Sequence, residues 1–355
     1  MHMLRDKMLA VMDEVNSEVA ERQELIRMIA LALLSGSNLF ILGAPGQAKS
    51  FVVNEVRKRI TGATQFERLL SKQTDEEALF GRLDLASLIP GAVPAQVLDE
   101  DDTYQSLKAQ LAQAADNFRT DPVDAAAMAQ LQSLTKKLEQ YQKGLSLLHG
   151  GTPMTITAGK IPDAHICFLD EIFKAGDGLL NSLLTALNEH RYTNEGVTVN
   201  IPVISFFSAS NEMPNFRNKE EQILAPLYDR FQLRVVTKDV QERTSRLAVL
   251  RHKQSGHFGE VTATISLDEL YAMQAQVKLV AIPDAINELM DDVLCELRRE
   301  GVTVSDRTFF GYGPVAQAAA WLAGHAEVQP EDLLQLKNYL WNDPAEIEKV
   351  EAVLT

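Results

Sequence analysis

The chain has little to cross-link it. Its 355 residues include only two cysteines, Cys167 and Cys295, far apart in sequence. Neither a disulfide framework nor a zinc-ligand spacing can be built from two such residues, which fits a reducing, cytoplasmic setting. Cys167 lies inside an apolar run and reads as a small buried thiol. Positive charge is also short: 34 basic against 49 acidic residues give a net charge of −15. That balance argues against a polyanion such as DNA as the main partner. No apolar run is long enough to span a bilayer. The N-terminal stretch MHMLRDKMLAVMDEVN carries charges throughout and lacks a signal-peptide apolar core. There is no internal repeat and no low-complexity tail. What is present is 46% hydrophobic and 23% charged, an ordinary globular composition of a length for one large or two ordinary domains.

The most informative stretch is Leu39 to Ser50, LFILGAPGQAKS. Leu39-Phe40-Ile41-Leu42 reads as a strand buried on both faces. The chain then turns through Gly43-Ala44-Pro45-Gly46-Gln47-Ala48 and enters a helix at Lys49-Ser50, followed by Phe51. A strand, a glycine-rich turn, Lys-Ser and a helix make up a phosphate-binding P-loop. Gly43 and Gly46 let backbone N–H groups turn inward, and with the helix N-terminus they form a nest for a polyphosphate. Lys49 suits the β- and γ-phosphates, and the Ser50 hydroxyl suits Mg²⁺. Ala48 stands where the pattern has glycine, and alanine suits a first helical residue.

Around this stretch, residues 3–35 read as helix from the spacing of Leu4, Met8, Val11, Val15 and Val19, continued by Leu25, Met28, Ile29, Ala32 and Leu33. Val52, Val53, Val56 and Ile60 mark the buried face of the P-loop helix. Residues 65–70 suit a second strand and 75–80 a short helix ending at Gly81. Between 95 and 150 the composition changes. An acidic run at 99–102 precedes an amphipathic helix with Tyr104, Leu107 and Leu111. Asp121-Pro122 breaks it, and Ala127, Leu131, Leu134, Leu138, Tyr141 and Leu145 form a heptad seam. This predicts an antiparallel helical hairpin, either an inert packing element or a partner-binding arm. Further buried strands are predicted at 165–169, 203–208 and 232–236, a helix at 178–190, and a β-hairpin at 191–199 with the three-residue loop Asn194-Glu195-Gly196. Beyond about 240, helical spacing dominates: 243–252, 266–277, 283–299, 314–322 and 330–340. The expected class is α/β, a doubly wound parallel sheet followed by a smaller all-α domain. The boundary falls near 238, giving domains 1–238, with the 95–150 hairpin as an insertion, and 239–355.

In such sheets ligands sit beyond the carboxyl ends of the strands. The strand at 165–169 delivers Asp170 and Glu171 there. An aspartate can hold Mg²⁺ through its water shell, and the next glutamate can polarise a water for attack on a γ-phosphate. The strand ending at Ser208 delivers Asn211, suited to the γ-phosphate or its attacking water. Arg230, just before the last strand, reads alone as a solvated charge. In a ring it can reach a neighbour's γ-phosphate, where an arginine finger is worth about 10³–10⁵ in rate. Arg307, in the helical domain, can pair with phosphate and close that domain over the nucleotide.

GAPGQAKS, CFLDEIFKA, LLTALNEHRY, SASNE, LYDRF and SDR, in this order and at these spacings, resemble the MoxR branch of AAA+ ATPases. LLQLKNYLWND, at 333–343, is more specifically similar to the regulatory ATPase variant A (RavA) type. The chain differs from that type in its longer 95–150 hairpin and in ending at Thr355, soon after the helical domain. The resemblance implies a hexameric ring that binds and hydrolyses ATP with Mg²⁺ between subunits. It implies Asn211 as sensor 1, Arg230 as the finger in trans, Arg307 as sensor 2, and 191–199 as a hairpin before sensor 1. It also implies a partner carrying a von Willebrand factor A domain and a role as a remodelling or assembly chaperone. Two other readings stay open: a nucleic-acid machine, whose candidate pore segments offer only Arg82 and Arg191, and a nucleotide-gated scaffold, for which a positioned Glu171 has no use.

Overall fold

A computed structural model describes residues 2–89, 92–120, 123–149, 154–194, 196–255 and 260–355. Five strands form one sheet: β1 (Leu39–Leu42), β2 (Gln65–Leu69), β3 (Ile166–Asp170), β4 (Ser205–Ser210) and β5 (Leu233–Val236). Their order is β5-β1-β4-β3-β2, and every pairing is parallel. The central strands β1, β4 and β3 are buried along nearly their whole length, as expected of a parallel sheet covered on both faces. Leu39, Phe40, Ile41, Cys167, Phe168, Phe206 and Phe207 are all fully buried, and burial pushes the Cys167 thiol far above its ordinary value.

The expected single helix over 3–35 is two helices, α1 (His2–Glu18) and α2 (Gln23–Ser35). Glu21 interrupts them with a left-handed φ of 55°. Its carboxylate accepts from the Gln241 and Glu242 backbone N–H groups at 2.7 and 2.9 Å. Those distant contacts outweigh the local preference for continuing a helix. The P-loop helix α3 (Lys49–Lys58) buries Val52, Val53 and Val56 as expected.

The chain folds into two compact units. One comprises residues 1–76, 161–190 and 201–355, and the other 77–160 and 191–200. After β5 strands largely give way to helices, and those helices contribute to the first unit's core. Trp321, Tyr339 and Trp341 are buried in that common core. Arg234 of β5 lies 4.7 Å over the Tyr228 ring and donates to the Trp341 carbonyl at 2.9 Å.

In the second unit, helices Asp102–Thr120 and Ala125–His149 pack antiparallel, with Ala114, Leu134 and Leu145 buried. The Tyr141 hydroxyl donates to Asp101 at 3.0 Å and ties the hairpin's base. The expected break at Asp121-Pro122 lies outside the described residues. In the strand pair Arg191–Asn194 and Val197–Asn200, Asn194 pairs with Val197. Its loop is thus two residues, not three, and Glu195 lies outside the described residues. The expected helix at 330–340 is a 3₁₀ turn, Pro330–Leu336, followed by Lys337–Leu340.

Glu14 of α1 fastens this helix to the segment before residue 265. It accepts from the Thr262 hydroxyl at 2.6 Å, the Ala263 N–H at 2.8 Å and Arg59 Nη2 at 2.9 Å. These donors, the Thr262 hydroxyl first, hold its carboxyl at about 2 instead of 4.5. A depressed folded-state value means stability that is complete above pH 4.5 and lost as pH falls toward 2. Glu14→Gln is therefore expected to flatten the fall of Tm across that acid window, as read by calorimetry at a series of pH values.

Candidate nucleotide-binding site

The site begins where β1 ends. Gly43 has no room for a side chain: a Cβ there would lie 2.0 Å from Thr237 Oγ1 and 2.4 Å from Gln47 Oε1. Gly46 takes a φ of 84°, open to glycine at no steric cost. Ala48 corrects the expectation that it is the first helical residue. It is the N-cap of α3, with φ 61° and ψ 22°, a conformation costing an L-residue about 1–2 kcal/mol. Ala44, Pro45, Gly46, Ala48 and Phe51 are exposed, Ser50 is half-buried, and Gln47 and Lys49 are buried.

Gln47 braces the loop. Its Oε1 accepts from Thr237 Oγ1 at 2.7 Å, its Nε2 donates to Asp239 at 3.0 Å, and its carbonyl accepts from Arg22 Nε at 3.1 Å. The loop is thereby fastened to the segment after β5 and to the start of α2. Glu21, Arg22, Val235, Thr237, Asp239 and Gln241 line a cavity of about 240 Å³ alongside.

Lys49 Nζ donates to the carbonyls of Gly43 and Ala44 and, at 2.8 Å, to Asn211 Oδ1. Asn211 Nδ2 in turn donates to Glu171 Oε1. The sequence's Lys49, Asn211 and Glu171 thus form one hydrogen-bonded chain across the ends of β1, β4 and β3. Burial lowers the Lys49 ammonium from its ordinary value, opposed by the nearby charges of Asp170 and Glu171. Burial likewise raises the Asp170 carboxyl. Glu171 has a left-handed φ of 55° and ψ of 46°, and its N–H donates to Asp170 Oδ1 at 3.0 Å. That turn directs the two adjacent carboxylates differently. Lys174 lies 3.3 Å from Glu171 Oε2.

The two arginines stand elsewhere. The Arg230 carbonyl accepts from Asn38 Nδ2 at 3.0 Å, at the amino end of β1, whereas the P-loop follows its carboxyl end. Four strand residues separate these ends by about 13 Å. Arg230 Nη1 lies 3.4 Å and Arg307 Nη1 3.2 Å from the same oxygen, Oδ2 of Asp229. The structure therefore gathers Lys49, Asp170, Glu171 and Asn211 in one place, and Arg230 and Arg307 in another. Asp229, Asn38 and the Gln47 brace are absent from the sequence reading. Asp229 was visible beside Arg230, but no local signal says that it meets a residue 78 positions away.

A family model described as the MoxR domain of MoxR–vWA–β-propeller ternary systems matches residues 6–102 and 142–275, and an AAA lid domain model matches 281–354. The chain belongs to the MoxR family of AAA+ ATPases. It is similar to two uncharacterised proteins of Methanocaldococcus jannaschii. One is 29% identical over 348 residues, 98% of this chain and 73% of that protein. The other is 29% identical over 342 residues, 96% and 73% respectively. The fold is similar to that of a candidate ATPase from Cytophaga hutchinsonii, a solved structure with TM-score 0.65 and 15% identity across 99% of this chain and 94% of that one. Among the described residues, no helix is long and apolar enough to cross a membrane.

The P-loop backbone yields a stability test. Ala48→Gly is expected to leave the unfolding free energy unchanged or raise it. Relief of about 1–2 kcal/mol of backbone strain meets about 0.5–1 kcal/mol of added chain entropy. Gly43→Ala is expected to cost about 1–3 kcal/mol by overpacking against Thr237 and Gln47. Denaturant titration of both variants reads the difference.

Proposed function

We propose that the chain assembles into a ring, a hexamer as the resemblance implies, and hydrolyses Mg²⁺-ATP where two copies meet.

 The carrying observation is the position of Arg230, about 13 Å along β1 from the P-loop of its own chain. An arginine side chain does not bridge that span, so it serves a nucleotide held by another copy. Arg307 shares Asp229 with it, which supports both arginines acting on the same neighbouring nucleotide. The Arg307–Asp229 pairing is exposed on both sides, at 56% and 44%, and such pairs are worth about 0–1 kcal/mol. Arg307 can leave Asp229 for a phosphate at little cost.

Within the chain, the P-loop N–H groups and Lys49 hold the phosphates, and the cavity beside Gln47 takes the base. The Ser50 hydroxyl and the Asp170 carboxylate are hard oxygen donors, the type Mg²⁺ requires. When bound, the ion neutralises charge on the β- and γ-phosphates. Glu171 accepts the proton of the attacking water. Asn211 orients that water or the γ-phosphate, and when a phosphate draws Lys49 away, its amide is released from Lys49 toward both. The work of the cycle is remodelling or activating a protein client together with a von Willebrand factor A-domain protein. The matched family model's description, which places its MoxR domains in ternary systems with vWA and β-propeller proteins, supports that partner class.

Substitution, mixing and capture experiments test this. Glu171→Gln should keep ATP bound in a filter assay while turnover falls about 10²–10⁴-fold, the usual size of a general-base effect. Arg230→Ala should lose about 10³–10⁵ in turnover with binding intact. Mixing Arg230→Ala with Lys49→Ala copies should restore part of it, because each supplies what the other lacks. Full activity in a strict monomer would remove the mechanism. Capture of partners on the Glu171→Gln protein in ATP identifies the client side.

A further inference from the structure

The Arg243–Ser255 helix stands apart from the rest of the first unit: none of its described residues is buried. It carries Arg243, Arg246, Arg251 and Lys253 and no acidic residue, in a chain with 49 acidic residues and 34 basic ones. At 100° per residue, Arg243, Arg246, Leu247, Leu250, Arg251 and Lys253 fall on one side of the helix. Ser245 and Val249, which are half-buried, fall on the other. The outward side therefore presents two leucines, Leu247 at 37% and Leu250 at 52% exposure, framed by four cations. Arg246 also donates to the Val240 carbonyl at 3.0 Å and to that of Gln241, which holds its guanidinium beside the helix start.

We infer that this face docks on a second copy of the chain. Charge complementarity selects that occupant, since outside this helix the chain carries 49 acidic residues against its 34 basic ones less these four. The Asp284–Arg299 helix alone exposes Asp284, Glu288, Asp291 and Asp292 along one side. Position agrees. The helix begins four residues after Asp239, whose carboxylate holds Gln47 of the P-loop. The start of the helix thus lies beside the brace of the P-loop, on the side that the proposed ring places against the next copy; the inference rests on that reading. Leucines between cations are the arrangement in which burial of apolar surface supplies affinity and the charges supply orientation and encounter rate.

Sedimentation velocity on the whole chain with Mg²⁺-ATP tests this, comparing wild type with Leu250→Glu/Arg251→Glu/Lys253→Glu. The triple variant is expected to keep the wild-type Tm, since all three side chains are exposed, and to need at least 10-fold more protein for half-assembly. Wild-type assembly should weaken as salt rises. If the wild type assembles and the variant assembles equally well, the docking role of this helix is wrong and the ring stands. If the wild type never assembles, the ring itself is wrong and the docking role falls with it. Helix-dependent binding of the wild type to phosphatidylserine vesicles or duplex DNA, with assembly unaffected by the substitutions, would assign the face to that partner and overturn the inference.

Discussion

The hydrogen-bonded chain from Lys49 through Asn211 to Glu171 is the constraint on which the site depends. It joins the ends of three parallel strands, β1, β4 and β3. A parallel sheet puts all carboxyl ends on one edge, and the strand order sets which of them adjoin. β4 lies between β1 and β3, so its terminal asparagine touches the groups carried by both. Burial strengthens these contacts and moves the Lys49 and Asp170 ionisations in the directions found. The left-handed turn at Glu171 completes the arrangement by separating two carboxylates that are adjacent in sequence.

Backbone strain concentrates in the same place. Of the four non-glycine residues with positive φ among the described residues, Ala48 and Glu171 lie within the site and Glu21 begins the segment that braces it. Strain of this kind persists where surrounding contacts over-determine the conformation. Here the Gln47 brace holds the loop from one side, and the Asp170–Glu171 turn is held by its own N–H bond. The arginines show the opposite arrangement. Arg230 and Arg307 share a single carboxylate, and the Arg307 contact, exposed on both sides, is weak enough to be exchanged.

Much of the fold was legible in the sequence. The strands β1 and β3 are short apolar runs, β4 and β5 are largely so, and the P-loop announces itself through Gly43, Gly46, Lys49 and Ser50. Asp170, Glu171 and Asn211 were readable because each ends such a run. The helix break at Glu21 was not, because its cause is a pair of backbone N–H groups more than 200 residues away. The role of alanine at position 48 was misread for a related reason: the residue type allows a helical start, and only the loop's closure forces a left-handed φ.

The sequence by itself determined the class of the fold, the chemical groups available to a nucleotide and the excess of negative charge, because these follow from local periodicity, residue type and count. Tertiary structure decided which groups meet. Strand order placed Asn211 between Lys49 and Glu171, and the length of β1 removed Arg230 from its own P-loop. Packing left the Arg243–Ser255 helix without a buried residue among those described. Each of these depends on distances through space between residues far apart along the chain, and those distances are set only when the sheet and its helices close around a common core.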